Sequence, residues 1–178
     1  MGYRDLREFM KVLEERGELK RIAVPVDAEL EITEITDRVV KAGGPALFFE
    51  NVRGFDIPVV TNLFGTLARM KLALGTDDLD ALGEELASLL KPELPQGLWD
   101  KVRALPRLAA LSAFFPRVVR TGPCKEVVVK EPDLTRFPVL KCWPGDAGRF
   151  ITLPLVFTKD PQTGRRNVGM YRMQIFDA

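Results

Sequence analysis

Hydrophobic and polar positions recur along this chain with two periods, and the period changes past its middle. Near the amino terminus Leu6, Phe9, Met10 and Leu13 fall at three- and four-residue intervals, the spacing of one helix face. Gly17 follows where a left-handed residue would end that helix. Leu19 to Val24 then reads as a strand. Ile32, Ile35 and Val39 stripe a second helix closed by Gly43-Gly44, and two strands follow, Ala46 to Val52 and Ile57 to Leu63, around a turn at Gly54. Helices are expected at 66–74 and 79–90, and a Pro-rich segment from Lys91 to Gly97 leads to a core helix ending near Phe115. After Pro116 the pattern is that of strands: Val118 to Arg120, Glu126 to Lys130, and a long hairpin from Arg149 to Phe176. The fold class expected is α+β, with an amino-terminal α/β domain over 1–116 and a strand-rich domain over 117–178.

The hairpin is the most informative stretch. Arg149 to Lys159 is rich in Ile, Val, Leu, Phe and Thr, and Asp160-Pro161-Gln162-Thr163-Gly164 supplies turn chemistry, since Pro presets a negative φ and Gly accepts a positive one. The second strand carries Asn167 and Arg172 among otherwise apolar residues. If that strand is buried, both polar side chains need a reason. Five steps apart in a regular strand, they point to opposite faces with Cα atoms roughly 16 Å apart. They can share a pocket only if the strand bends, and Gly169 is the expected place for a bulge or for close approach of a ligand.

Composition narrows the function classes. With 178 residues, 46% of them hydrophobic, the chain can bury a core. Its 26 basic and 25 acidic side chains give no global field that would drive it onto nucleic acid or anionic lipid. Cys124 and Cys142 match no zinc spacing, and the amino terminus is charged from Arg4 to Glu8 where a secretory signal would be apolar. A cytoplasmic location is expected. The longest apolar region, Leu105 to Phe115, is too short to span a bilayer.

These residues resemble the UbiD-type decarboxylases that use prenylated FMN. The family's Asn-x-Gly-x-Tyr-Arg-x-Gln pattern stands here as Asn167, Gly169, Tyr171, Arg172 and Gln174. The likeness extends upstream through Trp143 to Thr152, Asp160-Pro161, and Gly122 to Glu126, and more weakly through Tyr3 to Leu19, Gly43 to Leu47 and Pro58 to Asn62. The resemblance implies that the later segment begins a split β-barrel-like, flavin-binding domain, left incomplete in this chain. It implies prenylated FMN with Mn²⁺ or Mg²⁺, K⁺ being a further candidate. A flavin prenyltransferase would supply the cofactor, a carboxylic acid would be the small-molecule substrate, and the assembly would be a homo-oligomer. The family's metal site is completed by a histidine and a glutamate downstream of the arginine motif, and its catalytic glutamate also comes later. This chain has no histidine. On that reading it is the amino-terminal part of an enzyme and is inactive by itself.

The chemistry explains the residue types. Loss of CO2 from an aromatic or α,β-unsaturated acid leaves electrons on an sp2 carbon that no side chain can accept, so a cofactor must serve as the sink. The protein supplies orientation and charge control. Arg172 suits the catalytic role, because a planar guanidinium pairs with a carboxylate in a bidentate way and holds a neighbouring glutamate ionised. Asn167 offers a neutral amide oxygen to a hard cation bridging to the cofactor phosphate. Gly169, Met170 and Tyr171 would run alongside the cofactor, and Thr152 on the partner strand would form a site wall.

Plainer readings exist for each residue. Asn beside Gly is ordinarily turn chemistry, and a lone strand arginine ordinarily reaches solvent. Met170, Tyr171 and Phe176 would by default be packing residues, Trp143 a buried anchor, and Cys142 a small core residue. The acids from Asp77 to Glu85 read as a helix start and its solvated face, and Arg103, Arg107, Arg117 and Arg120 as surface charges. Two other functions compete with the decarboxylase: a non-catalytic scaffold or assembly module that retains the fold and pairs through the Arg149 to Phe176 edge, and an FMN-binding reductase.

Overall fold

The computed structural model describes residues 2–90 and 118–176. It is a mixed α+β fold with small sheets. Its contacts divide it into two units, one holding residues up to Asp77 together with those from Pro132 onward, the other running from Asp78 to Glu131.

The first unit begins with helix α1 (Leu6–Glu15), capped by Asp5, whose carboxylate accepts the Glu8 backbone N–H at 2.9 Å. At its far end the Gly17 N–H reaches the Glu14 carbonyl and the Glu18 N–H the Leu13 carbonyl, with Gly17 at φ +71°. That paired closure needs a left-handed residue, which glycine adopts without a Cβ clash. Helix α2 (Glu31–Lys41) closes in the same way through Gly43 and Gly44, and α3 (Leu67–Leu74) through Gly75 and Thr76. Strand β1 (Leu19–Ile22) is parallel to β2 (Ala46–Phe49), with α2 as the crossover, and β2 is antiparallel to β3 (Val59–Thr61).

Alternation along β2 builds a core on each face of this sheet. Leu47 and Phe49 pack with Val26, Ile32 and Val52, while Ala46 joins Phe9, Leu13 and Leu19. The later chain is tied to the first face: Leu140 packs against that core, the Leu30 N–H donates to the Lys141 carbonyl at 3.0 Å, and Lys141 Nζ pairs with Glu29 at 3.1 Å.

The anticipated hairpin forms, but as two short ladders. Strand β4 (Arg149–Ile151) pairs with β7 (Met173–Ile175), and β5 (Leu155–Lys159) with β6 (Arg166–Met170). Leu155 is opposite Met170 and Ile151 opposite Met173, so Thr152, Leu153 and Pro154 face only Tyr171 and Arg172. One extra residue therefore sits in the first strand, beside a proline that cannot donate to the ladder. The turn is as expected: Asp160 accepts the Gln162 and Thr163 N–H groups at 2.8 and 2.6 Å, and Gly164 has φ +69°.

The ribbon is not buried. Leu155, Phe157, Val168, Met170 and Tyr171 are all exposed, so the polar residues of β6 do not stand out against a buried strand. A two-stranded ribbon has no second layer of its own to cover its faces. Trp143 is likewise exposed, held in a turn in which its backbone N–H donates to the Asp146 carboxylate at 3.1 Å.

The second unit contains α4 (Leu79–Leu90), where expected, and a short 3-10 turn, Pro123–Lys125. The strands anticipated at Val118 to Arg120 and Glu126 to Lys130 do not form, and Val118, Val127 and Val128 are exposed. Their β-branched composition favours extended backbone, but among the described residues no partner completes a ladder. The core helix expected within Leu105 to Phe115 and its Pro-rich approach lie outside the described residues.

Candidate functional site

The motif residues cluster along β6 and the step into β7, all within the first unit. Asn167 is paired with Thr158 across the ladder and is exposed. It lines an open cleft of about 430 Å³ at the hairpin end, together with Thr158, Lys159 and Arg166. Lys159 and Arg166 are themselves directly opposite one another, which concentrates positive charge beside the Asn167 amide. Asp160 lines the same cleft and offsets part of that charge, because the Thr163 and Gln162 N–H groups hold its pKa below the usual value and keep it ionised.

Gly169 does not bend the strand. It keeps its register opposite Val156, and the irregularity falls two residues later, across from the Thr152–Pro154 insertion. What Gly169 does provide is space: a Cβ there would lie 2.4 Å from the Tyr171 ring. The ring folds back over a backbone position that only glycine leaves open. Met170 is exposed, and Thr152 is exposed within the inserted segment.

Arg172 sits at the switch between ladders, with its guanidinium carbon 4.1 Å from the centre of the Phe150 ring. Asn167 and Arg172 thus have different immediate surroundings, the charged cleft for one and the Phe150 ring for the other. Nearby, Gln174 and Arg149 line a second cavity of about 330 Å³ whose other walls include Phe137, Gly148 and Phe176. Among the described residues no three His, Cys, Asp or Glu side chains come together as a metal site, so Asn167 by itself offers a metal one ligand. No helix among the described residues is long and apolar enough to cross a membrane.

One polar network has no counterpart in the sequence reading. Arg69 is 1% exposed, with Nη1 2.7 Å from Glu18 and Nη2 donating to the Gly44 carbonyl at 3.1 Å. Asn62, at φ +58°, donates to the Gly44 and Pro45 carbonyls at 3.2 and 2.9 Å. The signal was available: Arg69 shares the helix face of Leu72 and Ala73, which pack against the core, so it had to be buried.

Two domain descriptions of a single family match this chain: 3-octaprenyl-4-hydroxybenzoate carboxy-lyase N-terminal domain over residues 10–89, and its Rift-related domain over 117–178. An uncharacterized protein of Archaeoglobus fulgidus is 52% identical over 177 residues, 99% of this chain and 36% of that protein. Vanillic acid decarboxylase of Sedimentibacter hydroxybenzoicus in its open form is similar in structure, with a TM-score of 0.75 at 30% identity, over 99% of this chain and 35% of that one. An evolved dimeric form of the UbiD-class enzyme HmfF from Pelotomaculum thermopropionicum, in complex with prFMN, gives 0.72 at 28% identity, over 98% and 36%. The chain spans little more than a third of the length of these relatives. With both domain matches in order along the sequence, the chain belongs to the UbiD carboxy-lyase family.

Proposed function

We propose that this chain supplies the amino-terminal part of a non-oxidative decarboxylase that removes CO2 from an aromatic or α,β-unsaturated carboxylic acid with prenylated FMN. The observation that carries the reading is the pair of family matches, the second of which takes in the whole Asn167 to Gln174 motif. The division into 1–116 and 117–178 is part of the same proposal, supported by matches that end and begin on either side of Pro116.

The residues present fit a flavin better than they fit a metal. Exposed Met170 and Tyr171 offer apolar contact at the end of β6, and the Asn167 amide shares its cleft with Lys159, Arg165 and Arg166, three cations against the one carboxylate of Asp160, a balance suited to an anionic phosphate. Asn167 would also give its oxygen to Mn²⁺ or Mg²⁺, whose remaining ligands would have to come from outside the described residues. Thr152 would stand at the edge of the site, and Gly169 would keep the Tyr171 ring close to the strand. The flavin supplies the electron sink. Arg172 orients the substrate by pairing with its carboxylate, and its charge disfavours protonation of a neighbouring acid.

The test is the full polypeptide co-expressed with a flavin prenyltransferase. Flavin absorbance and CO2 release from an aromatic acid are expected, with Arg172→Ala lowering kcat/KM by about two to three orders of magnitude. Unchanged turnover in that variant would sink the assignment. Colourless protein that forms a concentration-dependent oligomer would favour the assembly-module reading, to which the exposed apolar side chains of the ribbon also lend themselves.

A further inference from the structure

We propose that Phe150 is a positioning residue for Arg172, holding the guanidinium where it meets a substrate carboxylate; this rests on the decarboxylase reading of Arg172. Phe150 lies in β4 opposite Gln174, and Arg172 is two residues before Gln174. A phenylalanine and an arginine in that diagonal relation across an antiparallel pair are within reach of each other. The guanidinium carbon is 4.1 Å from the ring centre, closer than the 5.0 and 5.6 Å of the Arg21–Phe48 and Arg149–Phe55 contacts. Among the described residues Arg172 has no ion pair and no hydrogen bond, so the ring is what orients it.

A ring suits this task better than an acid would. A carboxylate at position 150 would hold Arg172 more tightly, but by occupying the N–H donors that a substrate needs. The quadrupole of Phe150 attracts the cation and presents no competing acceptor oxygen. Restricting a long side chain before substrate arrives is preorganisation, which lowers the entropy lost on binding. The inserted residue at Thr152–Pro154 is part of the device, because it sets the register that puts Phe150 opposite Gln174.

The experiment combines a spectroscopic readout with kinetics. In the full polypeptide labelled with ¹⁵N-arginine, the Arg172 Nε–H signal, identified by its loss in Arg172→Lys, should lie upfield from the ring current of Phe150. Phe150→Leu should abolish that displacement, and Phe150→Tyr should keep it. In the prenyltransferase-co-expressed holoenzyme, Phe150→Leu should lower kcat/KM by about two- to five-fold. Phe150→Tyr should restore it, and Phe150→Leu should have no further effect in an Arg172→Ala background. An Arg172 signal indifferent to Phe150→Leu, or an equal kinetic loss in the Arg172→Ala background, would overturn the proposal and leave the decarboxylase reading standing. A wild-type holoenzyme without turnover would overturn that reading, while the spectrum would still decide whether Phe150 orients Arg172.

Discussion

Removing Glu18 should destabilise the protein more than removing the arginine it pairs with. Glu18→Ala leaves a guanidinium that is 1% exposed with the Gly44 carbonyl as its remaining described acceptor and with Nε still unpaired. Stripping one partner from a buried ion pair costs about 3–5 kcal/mol. The Glu18 side chain is 42% exposed, so water can enter on its side, and about 2–3 kcal/mol is the reasonable expectation. Arg69→Met behaves differently. It removes the charge and the orphaned Nε together, keeps an unbranched apolar stem in the same space, leaves Glu18 to hydrate, and leaves the Gly44 carbonyl bonded to Asn62. Its cost should be below about 1 kcal/mol, because a buried pair replaced by apolar volume is often neutral. In urea unfolding followed by far-UV circular dichroism, the midpoint should fall by about 1 M for Glu18→Ala and by less than half of that for Arg69→Met. A loss for Arg69→Met equal to or larger than that for Glu18→Ala would refute the reasoning, since the guanidinium would then stabilise by more than it costs to bury.

Other perturbations probe the turns and the ribbon. Gly65→Ala puts a Cβ 1.7 Å from Asn62 Oδ1, so the amide must leave the two carbonyls it serves; a loss of about 1–3 kcal/mol in thermal unfolding is expected, and an unchanged midpoint would contradict it. Gly169→Ala meets the far end of the exposed Tyr171 ring, which can swing away, so stability should drop by less than about 1.5 kcal/mol while flavin retention on gel filtration falls. Retention at the wild-type level would show that the ring position is immaterial. The carboxyl of Asp160 is held below its ordinary value by the N–H groups of Thr163 and Gln162, so it contributes stability to the turn above the unfolded pKa and loses it as pH falls through the lower, folded one. The Gln162 and Thr163 amide resonances should therefore move together in acid, below the ordinary value of 3.8, and Asp160→Asn should remove that transition.

Periodicity and turn chemistry carried the first unit a long way. The stripe Leu6, Phe9, Met10, Leu13 and the glycines at 17, 43 and 44 placed α1 and α2, because helix termination by a left-handed glycine is a local event. The strands anticipated around Val118 and Val127 failed for the opposite reason: a strand needs a partner, and valine content does not provide one. In the ribbon, the sequence located the turn but not the irregularity. Gly169 looked like the kink, yet the extra residue sits at Thr152–Pro154, a fact about two strands counted against each other.

Taken alone, the sequence determined the first two helices and their glycine stops, the Asp160–Gly164 turn, and the Asn167 to Gln174 motif that carries the family resemblance, all of which depend on residues near one another in the chain. Only the tertiary structure decided the rest. Pairing across the ribbon set Arg172 against Phe150 and left Asn167 among Lys159 and Arg166, and helix packing buried Arg69 against Glu18. These relations depend on register and on which faces meet, and both are settled by contacts between residues distant in sequence.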